Sequence, residues 1–464
     1  MSMKCGTTDR YGIGLALVVL AIATGNRSGY AEQGRPASQG HAGAGAFLTR
    51  IKAKYEVGGD LSMAADAKPA RLPMSVVATF DYCERRIDDG SLPAEKRAVR
   101  YYTDAEAAIK VEKQASLSKL PPERRLIRAA VSQKRSTLGA AEGHLTRAEH
   151  DLLDLPFNTL LLNELLPAPN SQKGSAAKPT EQLLAMLLGL DAVSRSDVQS
   201  VLTAVSSDVG EITLEGALGG VVNGQATEIE LKGKLHFDIT HRQAFALAIL
   251  IKEKRSPGPI APGLDVVGKL KLDIAPVAEM AQLSDKALAG IELATGGEAP
   301  PLAYHSAKGK FSFLYDPRWR ITREQTESVV MRLVDRGELV AQCNVSLLPK
   351  LNPQQTFTLE MFQKEVQQSL GKNFRQFERA AEQKSPTGLR MLHAIALGAV
   401  AEVPITWHYY LLIDETGQRA AISFTMEDTL ADRFGQADRL VLDEFRFDPP
   451  TIRTAAQPRV RIPR

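Results

Sequence analysis

The chain has 464 residues, 44% of them hydrophobic and 24% charged, with a formal net charge of +3. This length suggests two or three domains, and the composition is that of an ordinary globular protein rather than a disordered or fibrous one. The positive charge sits at the ends, with Lys4, Arg10 and Arg27 near the start and Arg453, Arg459, Arg461 and Arg464 at the finish, so the near-neutral body offers no footprint for nucleic acid.

Lys4 and Arg10 form a positive region before the apolar run Ile13–Thr24, which has the length of a signal-peptide hydrophobic region. Small residues follow, and cleavage is expected after Ala31 or nearer Ala23. A retained anchor is the rival reading, but the run is short for a span that needs about 20 residues. Export to the periplasm or medium is therefore expected, with membrane contact only through this segment if it stays uncleaved. Residues 32–46 read as a flexible leader. Cys83 and Cys343 remain beyond it, and no spacing calls for a disulfide; two buried thiols are expected.

Strand patterns come next. Ile51, Ala53, Tyr55 and Val57 alternate with charged neighbours, and Met74, Val76, Ala78, Phe80 and Tyr82 repeat the pattern. Weaker strand signals lie at Arg97–Tyr102, Ala107–Glu112 and Arg124–Val131. A helical block then interrupts: Thr146 with Glu149 forms a capping box, Leu160–Leu166 is leucine-rich, Thr180 caps Glu181–Leu188, and Ser196 with Gln199 predicts a further helix through Val205. These helices are expected to pack on the sheet.

Strands return with Ile212–Leu218 and a turn at Asn223-Gly224. The most regular stretch follows, Glu228–Thr240, with Ile229, Leu231, Gly233, Leu235, Phe237 and Ile239 on one face and charge or histidine on the other. Phe245–Ile251 and Leu264–Ile274 complete four long strands with short connections, which predicts an antiparallel sheet with one buried face. The basic stretch Lys252, Lys254 and Arg255 leads into a proline-rich loop read as solvated.

Ala299-Pro300-Pro301 marks a linker. Beyond it, short strands are predicted around Phe311–Tyr315, Val329–Leu333 and Val340–Leu347, followed by an amphipathic helix carrying Leu359, Phe362, Val366 and Leu370 and stopped by Gly371. Four strands (Phe374–Ala380, Leu389–Leu397, Pro404–Ile413 and Arg419–Thr425) precede a last helix over Thr429–Leu440 and Phe445-Arg446-Phe447.

The stretch Lys308–Asp448 resembles the PsbP-like fold. The likeness rests on Phe311-Ser312-Phe313-Leu314-Tyr315-Asp316-Pro317-Arg318-Trp319, on Ile405-Thr406-Trp407-His408-Tyr409-Tyr410, and on Ile422-Ser423-Phe424-Thr425 ahead of the final helix. It implies an α-β-α sandwich that serves as a non-catalytic binding or assembly module. The layout of the earlier strands is similar to the half-barrels of LolA- or LppX-type exported lipid carriers. The expected fold class is therefore α+β: a curved, half-barrel-like antiparallel β-sheet domain with a helical insert (residues 47–292), a linker (293–307) and a PsbP-like domain (308–448). The signal segment (1–31) and leader (32–46) precede these domains, and a basic tail (449–464) follows them.

Catalytic and metal signatures are sparse. There is no Gly-x-Ser-x-Gly elbow, and Gly258–Gly263 lacks the Lys-Ser/Thr of a phosphate loop. His393 and His408 sit where neighbouring strands would bring them together, but two histidines lack the third ligand a metal needs. No catalytic residue, metal or cofactor is predicted. Trp319, Trp407, Tyr409 and Tyr410 read as core anchors. The expectation is an exported non-catalytic binding protein holding a lipid-like or hydrophobic small molecule against the wall formed by Leu231, Leu235, Phe237, Ile249 and Leu270. The alternatives are an assembly or scaffold protein of the cell envelope, contacting a protein partner through the C-terminal module, and a hydrolase with an unrecognised site.

Overall fold

Alternating apolar and polar side chains bury one face of a strand and wet the other, and long runs of this pattern build both units of the protein. The structure, a computed structural model, describes residues 48–63, 70–87, 95–132, 135–258, 261–291, 299–306, 310–335, 338–352 and 356–447. The expected signal segment, leader, first part of the linker and basic tail lie outside the described residues. The chain divides into two compact units, one ending at Pro300 and the other beginning at Pro301.

In the first unit the strands are β1 (Leu48–Met63), β2 (Ala70–Ile87), β3 (Lys96–Val111), β4 (Gln114–Lys119), β5 (Leu126–Val131) and β6 (Ser136–Ala140). Helix α1 (Arg147–Leu153), the short β7 (Ala176–Ala177) and α2 (Glu181–Leu188) follow. Then come β8 (Ala192–Ser196), β9 (Gln199–Val205), β10 (Val209–Val222), β11 (Gln225–Asp238), β12 (Gln243–Arg255), β13 (Gly263–Pro276) and the single turn α3 (Asp285–Leu288). The strands form one open sheet in the order β6-β5-β3-β2-β1-β13-β12-β11-β10-β9-β7, with β4 on β3 and β8 on β10. Most pairs join strands that are adjacent or next but one in the chain, while at β1–β13 the first and last long strands meet antiparallel from Thr49↔Pro276 to Ser62↔Gly263.

The alternation of β11 is realised residue by residue, with Ile229, Leu231, Gly233, Leu235 and Phe237 buried and Glu228, Glu230, Lys232 and Lys234 exposed. The Asn223-Gly224 signal is a two-residue hairpin, with φ of 48° and 78° and Val222 opposite Gln225. Phe237 lies opposite Gly210, and a Cβ at Gly210 would come within 2.2 Å of the Phe237 ring. The glycine is therefore the space the ring fills.

A leucine-rich segment crosses the dry face. Leu145, Leu152, Leu153, Phe157, Leu160, Leu161, Leu162, Leu165, Leu184 and Leu187 are all exposed by no more than 4%. Polar contacts fix the segment at both ends of its path. Thr159 donates to Glu84 of β2 at 2.5 Å, Asn163 Oδ1 accepts the Ala244 N–H of β12 at 3.0 Å, and the Leu165 carbonyl accepts from Ser200 of β9 at 3.3 Å. Thr146 and Glu149 form the predicted capping box on α1, and Thr180 caps α2. Phe157 holds φ at +59°, a left-handed conformation costing about 1–2 kcal/mol for a non-glycine residue, and its fully buried ring offsets that cost.

Several expectations are corrected. Ser196–Val205 is not a helix but β8 and β9, because Ser196 Oγ accepts from Val198 N in a local turn and the β-branched Val193, Val198, Val201, Thr203 and Val205 favour extended backbone. Leu160–Leu166 shrinks to one 3-10 turn at Leu162–Leu165. The two weak strands at 97–102 and 107–112 lie on the single strand β3 (Lys96–Val111), whose register shift opposite Asp81/Tyr82 disguised its continuity. Arg255 is not a solvated basic residue; it is buried on the dry face and paired with Glu253, its Nε donating at 2.9 Å.

The second unit comprises β14 (Leu302–His305), β15 (Phe311–Tyr315), β16 (Trp319–Gln325), β17 (Ser328–Asp335), β18 (Glu338–Leu348), α4 (Leu359–Leu370), β19 (Phe374–Lys384), β20 (Arg390–Val400), β21 (Val403–Ile413) and β22 (Arg419–Glu427). The short α5 (Ala431–Phe434), α6 (Arg439–Asp443) and β23 (Arg446–Phe447) close it. An open antiparallel sheet runs β16-β17-β18-β22-β21-β20-β19, beside a small sheet β14-β15-β23. Leu302–His305, read from sequence as linker, pairs with β15. Helix α4 lays Phe362, Val366 and Leu370 on Leu392, Ala394, Ala396, Trp407 and Leu411. Across the sheet, Phe434 packs on Phe424 and Trp319, and Trp319 Nε1 donates to the Ala437 carbonyl at 3.2 Å. The predicted last helix over 429–440 is broken at Gly435, whose φ of +54° ends α5.

If the crossing segment is core, Phe157→Ala costs about 3–5 kcal/mol, the range for truncating a buried aromatic. A urea melt should show a lower midpoint with an unchanged slope; a loss below about 1 kcal/mol would place Phe157 outside the core.

Candidate functional site

The five wall residues predicted to face a ligand are brought together on β11, β12 and β13. Gly233 pairs with Ile249, which pairs with Leu270, and Leu235 lies one step along. Leu231, Leu235, Phe237, Ile249 and Leu270 are exposed by only 0–3%. Accessible area counts the walls of internal voids as well as the outer surface, so these residues touch protein on every side rather than a lipid-sized space. A cavity on the dry side is lined by Tyr82, Tyr102, Leu138, Phe157, Asn158 and Thr159, among others, and measures about 20 Å³. That is room for about one water molecule.

Beside this cavity lies a charged group that sequence reasoning missed. Arg100 Nε donates to Glu84 at 3.0 Å, and both side chains are buried. The same guanidinium reaches Asn158 at 2.7 Å and sits 5.4 Å from the Tyr82 ring centroid. Tyr82 stacks on Tyr102 at 4.6 Å. Burial alone would lower the Arg100 pKa, but Tyr82, Glu84 and Tyr102 raise it, so Arg100 stays charged. Burial in turn raises both tyrosines, which stay neutral. A buried pair of this kind costs desolvation that its own hydrogen bonds must offset, so it speaks for a specified interior rather than for catalysis. The overlooked signal was a charge on a buried phase: Glu84 continues Phe80 and Tyr82, just as Glu253 and Arg255 continue Ile249 and Ile251.

The richest titratable cluster lies in the second unit. His393 of β20 stands opposite Tyr410 of β21, and their rings stack at 4.2 Å with planes 5° apart. His408, two residues along, puts its ring 6.1 Å from His393, so the two histidines do meet as predicted. Asp438, just before α6, joins them by accepting from the Tyr410 hydroxyl at 2.6 Å and lying 3.4 Å from His408 Nδ1. Sequence reading placed Asp438 inside a helix and so missed it. Among the described residues no group of three side chains has metal-binding geometry.

The electrostatics follow from this packing. Burial lowers the His393 pKa to about 4, helped by His408, Arg379 of β19 and Arg439 of α6 and opposed by Asp438. Burial would raise Asp438, but hydrogen bonds from His408 and Tyr410 leave it below its usual range. Burial and Asp438 raise Tyr410, and they also raise the buried thiol of Cys343 on β18. His393 Nε2 is buried without a hydrogen-bond partner.

The face that carries this cluster is covered unevenly. Phe374, Phe377 and Ala380 of β19 pack on the α4 side, so Arg379, opposite Ile395, and Ala381, opposite His393, point to the other side. The terminal helical turns pack near β15, β21 and β22. Toward β19 the sheet is more open: Ile395, Leu397 and Ala381 are half-buried, while Gln376, Arg379 and Gln383 are exposed. A ledge of apolar side chains edged by cations results.

No family model matches the chain, and no curated protein matches it. Among solved structures, the chain is similar to the Ran-binding protein Mog1p of Saccharomyces cerevisiae over 32% of its own length and 95% of that protein, at 11% identity and a TM-score of 0.26. It is similar to cyanobacterial PsbP from Synechocystis sp. PCC 6803 over 34% of its length and 97% of that chain, at 16% identity and a TM-score of 0.26. A protein from Bacteroides thetaiotaomicron matches over 32% of this chain and 48% of its own, at 14% identity and a TM-score of 0.24. The neighbours thus include PsbP and Mog1p over about a third of the chain, and at these scores they carry no argument about function.

The His393 environment sets a pH dependence. The folded pKa near 4 lies below the ordinary 6.5, so above pH 6.5 the residue is neutral in both folded and unfolded chains. As pH falls from 6.5 to 4 the unfolded chain takes up a proton that the folded one refuses, and stability falls through that window. His393→Phe keeps a ring against Tyr410 and should flatten the decline in urea-melt stability between pH 6.5 and 4; an unchanged slope would contradict this assignment.

Proposed function

We propose that this is an exported, non-catalytic binding and assembly protein whose first unit is a filled structural platform and whose second unit carries the contact surface. The observation that carries the reading is the packing of the predicted wall. Leu231, Leu235, Phe237, Ile249 and Leu270, expected to hold a hydrophobic ligand, are exposed by only 0–3%, and a cavity on the dry side has room for about one water molecule. A half-barrel holding a lipid-like molecule loses support from this geometry, and an envelope scaffold gains it.

We read the second unit as a PsbP-like sandwich. The quoted aromatic motifs support this, with Trp319, Phe313 and Phe445 wholly or almost wholly buried, as do the layers of α4 on one face and the terminal turns on the other. Its half-covered ledge on β19–β20, with His393, His408, Arg379 and Arg439 at the margin, is the surface left for a partner. The hydrolase reading has no support from a nucleophile–base–orienter set: Asp438 spends its hydrogen bonds on Tyr410 and His408, and the buried Cys343 thiol, its pKa raised, is a poor nucleophile.

Native mass spectrometry of full-length protein purified from its own cells, with chemical cross-linking before lysis, tests the proposal. The expected result is no lipid cross-linked to the first unit, with cross-links to protein partners gathered on the second. A lipid cross-linked to the first unit, or protein cross-links gathered there, would overturn it.

A further inference from the structure

The ledge of the second unit has a chemistry more specific than a general contact surface. Arg379 and Arg439 are exposed, and neither side chain makes a hydrogen bond or ion pair among the described residues. Two other exposed arginines of this unit are engaged, Arg318 with Asp316 at 3.0 Å and Arg446 with Glu444 at 3.3 Å. Arg379 lies opposite Ile395 and diagonal to His393, which the ladder geometry puts about 7–8 Å away between Cα atoms. Arg439 follows Asp438 directly, and Asp438 is held to Tyr410 and His408. Both guanidinium groups and the His408 imidazole therefore act on His393, while Asp438, which opposes them, is held by His408 and Tyr410. An orphan buried nitrogen, His393 Nε2, lies among them. The half-buried Ile395 and Leu397 extend from this group along β20 as an apolar floor.

We propose that this ledge binds the phosphate or carboxylate head of a small amphiphilic molecule, with Arg379 and Arg439 gripping the oxyanion and Ile395 and Leu397 supporting its apolar body. Arginine suits the task because its planar fork meets two oxygens of a carboxylate or phosphate at once. The local field favours it as well, since the surplus of cationic groups around His393 has only Asp438 to balance it. An oxyanion bound there supplies the missing counter-charge and makes protonation of His393 easier.

This inference rests on reading the ledge as the contact surface, and its test separates the two. Imidazole resonances of His393 and His408 are followed by NMR in the full chain while inorganic phosphate, and separately hexyl phosphate, is added at constant ionic strength. Both resonances should shift saturably, hexyl phosphate should bind several-fold more tightly than inorganic phosphate, and the titration midpoint of His393 should move upward from about 4. The double variant Arg379→Gln/Arg439→Gln, both side chains exposed and without a hydrogen-bond or ion-pair partner among the described residues, should keep its fold and bind roughly tenfold more weakly or worse. Shifts that never saturate, or that persist at equal affinity in the double variant, would overturn the site. Equal affinity for the two phosphates would overturn its amphiphilic part. Cross-links on the second unit would stand in either case.

Discussion

The first unit depends on one contact, the leucine-rich segment against the dry face of the long sheet. Among the described residues the sheet joins its two halves, β1–β6 and β7–β13, at the β1–β13 ladder alone. The segment crosses between them and is tied by hydrogen bonds to β2 on one side and to β9 and β12 on the other. Each buried leucine contributes about 1.5–3 kcal/mol, and an apolar face of this extent would otherwise lie open to water. Covering it from within the chain removes the need for a ligand or partner to do so.

Charged groups within this interior are paired and hydrogen-bonded. Glu84–Arg100 and Glu253–Arg255 lie at buried positions and are hydrogen-bonded, the first to Thr159 and Asn158, the second to Thr227. Such pairs penalise any arrangement that leaves one member alone, so they fix the register of the crossing segment and of β11 against β12. The second unit differs. Its titratable groups gather at the margin of a half-covered face, where the Arg379 and Arg439 side chains have no hydrogen-bond or ion-pair partner among the described residues.

The strands were the most legible part of the molecule, because period-two alternation states directly which side chains are buried. Ile229 through Phe237 alternate in the structure as they do in the sequence, and the Asn223-Gly224 turn sits where its left-handed preference puts it. The helical calls were weaker. Ser196 and Gln199 imitate a capping box, but valines and a threonine nearby prefer extended backbone, and pairing with β10 decides the matter. The tight turn at Ala401-Glu402, with φ of 46° and 72°, carries no glycine or asparagine to announce it. The meeting of His393 and His408 was readable from strand order, whereas Asp438 arrives from a separate turn by tertiary packing. The packed state of Leu231, Leu235, Phe237, Ile249 and Leu270 was open at the sequence level for the same reason: an apolar face shows that it must be covered, not by what.

Native-state hydrogen exchange tests most directly whether the crossing segment is permanent core or a movable cover. Two sets of amides matter: Phe157 and Leu161, bonded to Leu187 and Asn158, and those of β11 around Leu231 and Leu235. If the segment is core, both sets exchange with the same opening free energy, and that energy falls equally for both as urea is added. Exchange of Phe157 and Leu161 by a separate, lower-energy opening while β11 stays protected would make the segment a lid over a ligand site and contradict this account.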